Sequence, residues 1–198
     1  MTELTAFVLA GGKSTRMGSD KAFLPWADGT LLSRALKLAA SVTPNVRIVG
    51  ASEKFSSFGA VIEDIFRGCG PLGGIHAALS STTTDLNLML AVDLPLIETP
   101  FLRLMVGLAQ ETDSVVTVPR AEGISQPLCA IYRRKFAQTA QQALEAGANK
   151  IDPLFAKVKT RIIEEDEFTR AGFSAAMFRN LNTPEEWREE RNKFSPAP

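Results

Sequence analysis

The sequence predicts an α/β fold: a single domain whose mostly parallel sheet is covered by helices on both faces. Three observations predict it. Apolar runs that read as buried strands alternate with helix-like segments along the chain. Apolar residues make up 45% of 198 positions, enough for a sizeable core. No repeat, low-complexity tract or Pro/Gly/Ser linker interrupts residues 1–194, so these read as one domain, with SPAP at 195–198 as a frayed tail.

Thr5 to Ala10 (TAFVLA) reads as a buried strand running into a glycine pair, Gly11-Gly12. Leu31 to Val42 has apolar residues at helical spacing, with Thr30 as its N-cap. Val46 to Val49 and Ala60 to Ile65 read as short strands. The glycine-rich piece Gly68 to Gly74 follows and opens a helix at about Ile75 to Ser80. Leu86 to Val92 is another buried strand, ending on Asp93 with Pro95 just beyond. Phe101 to Gln110 reads as helix, and Ser114 to Pro119 and Pro127 to Tyr132 as strands. Arg133 to Ala146 reads as helix, Lys150 to Val158 as a short helix and Arg161 to Glu164 as a strand. A final helix spans Pro184 to Lys193, with proline at its first position.

Ligands in open sheets of this class sit at the carboxyl ends of the strands. Gly11-Gly12 follows the first strand, Gly70 to Gly74 the third, and Asp93 ends the fourth, so all three are expected on one edge. Charge narrows the partners. The 22 basic residues balance 22 acidic ones, which leaves no broad basic surface of the kind a general nucleic-acid or membrane binder needs. Cys69 and Cys129 are far apart and have no metal-type spacing, so free thiols are expected. With no signal-peptide pattern and no apolar run near the ~20 residues that cross a bilayer, a soluble cytoplasmic protein is expected.

The stretch LAGGKSTRMGSDK, Leu9 to Lys21, carries the chemistry. A glycine pair after a strand lets backbone N–H groups approach an anion. Arg16 can grip phosphate oxygens at two points, while Lys13 and Lys21 act as mobile point charges. The set suits a polyphosphate, although a solvated turn could use the same glycines and lysines. A Walker-type loop is excluded, because Phe7 stands where its first glycine would precede Gly12-Lys13-Ser14. A dinucleotide fingerprint is excluded by the Gly11-Gly12 spacing.

This stretch resembles the N-terminal signature of the molybdenum cofactor guanylyltransferase family (the molybdopterin-guanine dinucleotide biosynthesis protein A family). GPLGG at Gly70 to Gly74, VDLPL at Val92 to Leu96, QPLCAIY at Gln126 to Tyr132 and NLNTPEE at Asn180 to Glu186 are similar to further landmarks in the family's order. The resemblance covers nearly the whole chain. It implies a Rossmann-like three-layer sandwich of nucleotidyltransferase type. It also implies transfer of GMP from GTP to the terminal phosphate of Mo-molybdopterin, with release of pyrophosphate. Mg²⁺ is the implied cofactor. Proteins that deliver molybdopterin and mature molybdoenzymes are the implied partners.

The resemblance also assigns residues. Leu9, Ala10 and Gly11 would contact the nucleotide through backbone, and Gly12, Arg16 and Lys21 would wrap the triphosphate. Arg16, Lys21 and Asp93 would carry catalysis. Asp64 matches an aspartate used toward the nucleotide, though a strand-end turn would use one too. Gly50 stands where relatives often carry asparagine near the base, so only its backbone is available there. Asn180 and Asn182 would face the molybdopterin side, and Asn-Thr-Pro is equally a good helix start. Asp93, closing an apolar strand, is costly to bury unpaired, and Mg²⁺ is its natural partner. His76 lacks a second metal ligand nearby and reads as a surface or packing residue. Trp26 and Trp187 read as core. Two alternatives stay open: a related cytidylyltransferase or sugar-nucleotide transferase using the same loop, and a non-catalytic nucleotide-binding adaptor on this fold, whose members are expected to lose the loop arginine, Lys21 or Asp93.

Overall fold

The structure, a computed structural model, describes residues 3–11 and 20–179. Within them the central sheet runs through β1 (Leu4–Leu9), β4 (Val46–Val49), β5 (Val61–Ile62), β6 (Leu86–Ala91), β7 (Val116–Ala121), β9 (Cys129–Arg133) and β10 (Thr160–Ile163). Their spatial order is β10-β7-β9-β6-β1-β4-β5, with the short β8 (Ile124–Ser125) paired to β7. β1 pairs in parallel with β4 and β6, β4 with β5, and β7 with β10, whereas β9 runs antiparallel to β6 and β7. The expectation of a mostly parallel α/β sheet therefore holds.

Helices α1 (Leu31–Ala40) and α4 (Thr99–Gln110) cover one face, and α3 (Pro71–Ser81) and α5 (Phe136–Glu145) the other. Alternation along the strands explains the two cores. Val8, Ile48 and Leu90 pack with Leu38 and Phe101, while Phe7, Val49 and Met89 pack with Leu79 and Phe136. Thr30 caps α1 as expected, its hydroxyl accepting from the Ser33 N–H at 3.2 Å while Ser33 Oγ accepts from the Thr30 N–H at 2.8 Å. At the amino ends of the strands, the buried Asn87 amide nitrogen donates to the carbonyls of Thr84 and Asp85, each at 3.1 Å, and of Tyr132 at 3.3 Å. Asn87 Oδ1 accepts from Thr84 Oγ1 at 3.0 Å.

Several boundaries differ from the sequence reading. The third strand shrinks to Val61–Ile62, and the Glu63 carboxylate just beyond it accepts from the Ser52 N–H at 2.9 Å. Of the GPLGG glycines only Gly70 precedes the helix, as its N-cap. The helix starts at Pro71, and Gly73 and Gly74 lie inside it. Their small size permits close packing: a Cβ at 73 would sit 2.8 Å from the Phe66 carbonyl oxygen, and one at 74 would sit 3.3 Å from Val49 Cγ1. Arg133 belongs to β9, which delays α5 to Phe136. The short helix near Pro153 is α6 (Asp152–Phe155).

Elements absent from the sequence reading are the hairpin β2 (Pro25–Trp26) and β3 (Gly29–Thr30), the short strand β8, α2 (Ser52–Phe55) and α7 (Glu165–Arg170). Two 3₁₀ turns, Lys21–Phe23 and Ala175–Phe178, add to them. The helix expected over 184–193, Trp187 and the 195–198 tail lie outside the described residues. Among the described residues no helix is long and apolar enough to cross a membrane.

Candidate active site

From β1 the chain crosses to β4 and β5 on one side, then returns to β6 on the other. The crevice where strand order reverses therefore opens between the carboxyl ends of β1 and β6, the place where such sheets bind ligands. Leu9 pairs with Ala91 in register, and the Val92 N–H donates to the Leu9 carbonyl at 3.3 Å. Gly11 and Asp93 each stand two residues beyond those partners, so they flank the crevice from its two sides. Asp93 does not itself end the strand, which stops at Ala91.

Lys21 reaches this point from a 3₁₀ turn that begins at Lys21. Asp20 holds the turn: its Oδ1 accepts from the Ala22 N–H at 3.2 Å and its Oδ2 from Lys54 Nζ on α2 at 3.0 Å. Lys21 Nζ then lies 3.6 Å from Asp93 Oδ2, with both side chains roughly a quarter exposed (20% and 27%). A cation and a carboxylate are thus poised together at the crevice but open to incoming phosphates.

The second wall is made of glycines. Ala10 and Gly11 N–H both donate to the Val49 carbonyl, at 2.9 and 3.1 Å. Gly11 faces Gly50 across the ends of β1 and β4, with 3.7 Å from a Cβ at 11 to Gly50 Cα. The Gly50 departure has a physical partner. A Cβ at 50 would lie 2.7 Å from Phe55 Cε2, and Phe55 is buried. The phenylalanine occupies the space that a side chain at 50 would need, so β4 offers the crevice backbone alone.

Asp64 stands against α3, its carboxylate oxygens 3.5 and 3.8 Å from where Cβ atoms at Gly74 and Gly73 would be. It is half-buried and has no hydrogen-bond or ion-pair partner among the described residues. Desolvation raises its carboxyl above the usual carboxylate range. The same position against Gly74 approaches Leu9, whose Cδ2 lies 3.9 Å away, so Leu9, Gly74 and Asp64 line one corner.

An unpartnered carboxylate costs stability while it is ionised. Asp64→Asn is expected to raise the melting temperature near neutral pH, by up to ~1 kcal/mol of stability after solvent screening, and to weaken nucleotide binding. Its folded-state carboxyl titrates above the unfolded one, so the penalty is full above the folded value. The penalty fades as pH falls through the carboxylate range. Melts of both proteins at about pH 7.5 and about pH 4.5, with a nucleotide titration, check this. A lower melting temperature at neutral pH would show instead that the carboxylate supports the fold.

Gly12, Arg16, Asn180 and Asn182 lie outside the described residues. His76 is a packing residue: it is buried, edge-on to Phe66 at 5.1 Å between ring centroids, with Nε2 3.3 Å from Ser80 Oγ. Burial pushes its imidazole below the ordinary value, against the opposing charge of Glu145. Both cysteines are free, and burial pushes the Cys129 thiol far up. Trp26 is buried beside Leu31. Among the described residues no group of three or more His, Cys, Asp or Glu forms a ready metal centre. Sequence reasoning passed over Lys54 and Phe55, which act on the site through Asp20 and Gly50. Their only signal was a place just after a strand that ends at the crevice.

A mostly parallel sheet with a glycine-ended first strand and a lysine–aspartate pair at its switch point suits a phosphate-bearing ligand, and the family match makes the chain a nucleotidyltransferase. Residues 6–165 match the MobA-like NTP transferase domain, and the chain belongs to that family. It is 33% identical over 168 residues to a "Probable molybdenum cofactor guanylyltransferase" of Flavobacterium johnsoniae, covering 84% of this chain and 88% of that protein. It is 30% identical over 189 residues to a "Molybdenum cofactor guanylyltransferase" of Desulfosudis oleivorans, covering 94% and 93%. The fold is similar to that of the crystal structure of molybdopterin-guanine dinucleotide biosynthesis protein A from Archaeoglobus fulgidus. There the TM-score is 0.83 at 22% identity, over 96% of this chain and 97% of that one.

Proposed function

We propose that this protein is a molybdenum cofactor guanylyltransferase that transfers GMP from GTP to Mo-molybdopterin and releases pyrophosphate, working in the cytoplasm as one catalytic unit over residues 1–194. The observation that carries the reading is the Lys21–Asp93 pair at the switch point, 3.6 Å apart and open to ligand. The names of the relatives support the choice of substrates. Proteins that deliver molybdopterin, and those that receive the product, are the partners this reaction requires.

In the reaction an acceptor phosphate oxygen attacks the α-phosphorus of GTP, and the bond to the β-phosphate oxygen breaks. Negative charge gathers on the departing pyrophosphate. Little covalent chemistry falls to the protein, so its work is positioning and charge neutralisation. Gly11, Gly12 and the backbone at Gly50 admit the nucleotide closely. Arg16 and Lys21 grip the phosphates, which requires Lys21 to exchange part of its attraction to Asp93 for the incoming anion. Asp64 faces the nucleotide from the α3 side, and Asn180 and Asn182 face the acceptor.

A hard divalent cation fits the donor chemistry. Asp93 is a partly exposed carboxylate at the crevice, and Mg²⁺ is commonly held by one or two carboxylates together with substrate phosphates. When bound there, Mg²⁺ supplies charge neutralisation and orientation of the phosphates. Asp93 would hold it.

The test is pyrophosphate release measured with GTP and CTP side by side, with and without Mo-molybdopterin. Release that needs both GTP and the acceptor supports the proposal. Faster turnover with CTP would favour the cytidylyltransferase reading, and tight GTP binding without release would favour the adaptor.

A further inference from the structure

Helix α1 packs beside the turn that presents Lys21, and one of its residues reaches the segment that carries Asp93. The Arg34 guanidinium donates from Nε to the Pro95 carbonyl at 3.3 Å and from Nη2 to the Ile97 carbonyl at 3.1 Å. These acceptors follow Asp93 by two and four residues in the connection between β6 and α4. On the other side of Asp93, the Val92 N–H is fixed to Leu9 on β1. Asp93 therefore sits between two backbone anchors, one made by the sheet and one by Arg34.

The second anchor is otherwise thin. Pro95 has no N–H to donate, and the Ile97 N–H turns inward to the Leu94 carbonyl at 3.3 Å. Leu94 and Ile97 are buried and hold the segment down, but apolar contacts are non-directional and fix no orientation. A planar fork of donors bound to two carbonyls does. Burial lowers the Arg34 guanidinium below its ordinary value, and the nearby Glu98 carboxylate opposes that shift.

We infer that Arg34 is a positioning residue for the Asp93 carboxylate. It locks the Asp93–Glu98 connection so that the carboxylate meets the cation and the phosphates already oriented. The inference rests on the metal role proposed for Asp93. It extends the site's support to helix α1.

Arg34 borders a cavity of about 630 Å³ that Trp26, Leu96 and Met177 also line. A changed side chain has room there, so Arg34→Met and Arg34→Lys are expected to fold. Circular dichroism and melting check this. Pyrophosphate release is then followed against Mg²⁺ at saturating GTP and acceptor. For Arg34→Met the half-saturating Mg²⁺ concentration is expected to rise by about ten-fold or more, the range seen when groups that orient metal ligands are removed. The KM for GTP at saturating Mg²⁺ is expected to change less than about two-fold. Arg34→Lys, which keeps the charge but not the fork, is expected to recover only part of the Mg²⁺ affinity.

Two further readouts need no turnover: Mn²⁺ titration by paramagnetic relaxation with GTP present, and amide exchange of residues 94–98. Weaker Mn²⁺ binding with faster exchange supports the inference. Magnesium and manganese curves that match wild type overturn it. Should wild type release no pyrophosphate, the proposed reaction fails, and the Mn²⁺ titration alone then decides whether Arg34 orients a cation site.

Discussion

Asp93→Asn is expected to cut metal-dependent pyrophosphate release by about two to three orders of magnitude while leaving the fold intact. A loss of this size matches ~3–4 kcal/mol of transition-state stabilisation, typical for removing one group that meets developing charge. The side chain keeps its size and can still accept a hydrogen bond. What goes is one negative charge beside the switch point, together with its attraction to Lys21. That pair is partly exposed, so its own worth to stability is only ~0–1 kcal/mol. The substitution thus separates two roles. A turn-forming aspartate would be replaced almost fully by asparagine, whereas a cation ligand would not. Pyrophosphate release against Mg²⁺ concentration, with circular dichroism as folding control, checks it. Overlapping magnesium curves for the two proteins would end the metal assignment.

Lys21→Ala is expected to lower kcat/KM by a comparable factor, ~2–4 kcal/mol, with a change in melting temperature of only a few degrees. The turn that presents Lys21 is held by Asp20 through the Ala22 N–H and Lys54, not by the lysine itself, so the backbone should survive the change. The remaining Asp93 carboxylate would face the phosphates without its neighbour cation. Raised Mg²⁺ is therefore expected to restore part of the rate, because a divalent cation can screen that repulsion. Steady-state kinetics over a range of Mg²⁺, beside thermal melts, measure both effects. Turnover near the wild-type value would remove Lys21 from the reaction.

The sheet and its ligand edge were legible in the sequence because both are written in local pattern. The longest buried strands are apolar runs, Gly11 and Asp93 each stand two residues past one, and the GPLGG stretch follows β5 after a short loop. The N-cap at Thr30 was legible for the same reason. The GPLGG glycines were misplaced because glycine marks a turn and a close helix contact equally well, and only the neighbours Phe66 and Val49 distinguish them. The hairpin β2–β3 was passed over although Asp28-Gly29 marks a turn, and the residue with positive φ in that turn is Ala27 (47°) rather than a glycine or asparagine. α2 is four residues long, too short for periodicity. The site's supporting contacts were illegible in principle. Arg34 meets carbonyls 61 and 63 positions away, and acceptors on the backbone leave no mark on residue type.

The buried amide at the amino end of β6 bears on the chemistry at the other end. β6 is buried on both faces, so its leucines and methionine would fit almost as well after a slip of one residue, and hydrophobic pattern alone barely defines its alignment. Asn87 breaks that degeneracy. A one-residue slip would turn its amide toward the face of Leu88 and Leu90 and strip it of the Tyr132 carbonyl on β9. Losing a partner for such a buried group costs ~1–3 kcal/mol. A polar side chain with no access to substrate thus acts as the strand's ruler. The depth at which the Asp93 carboxylate emerges is measured from the far edge of the sheet.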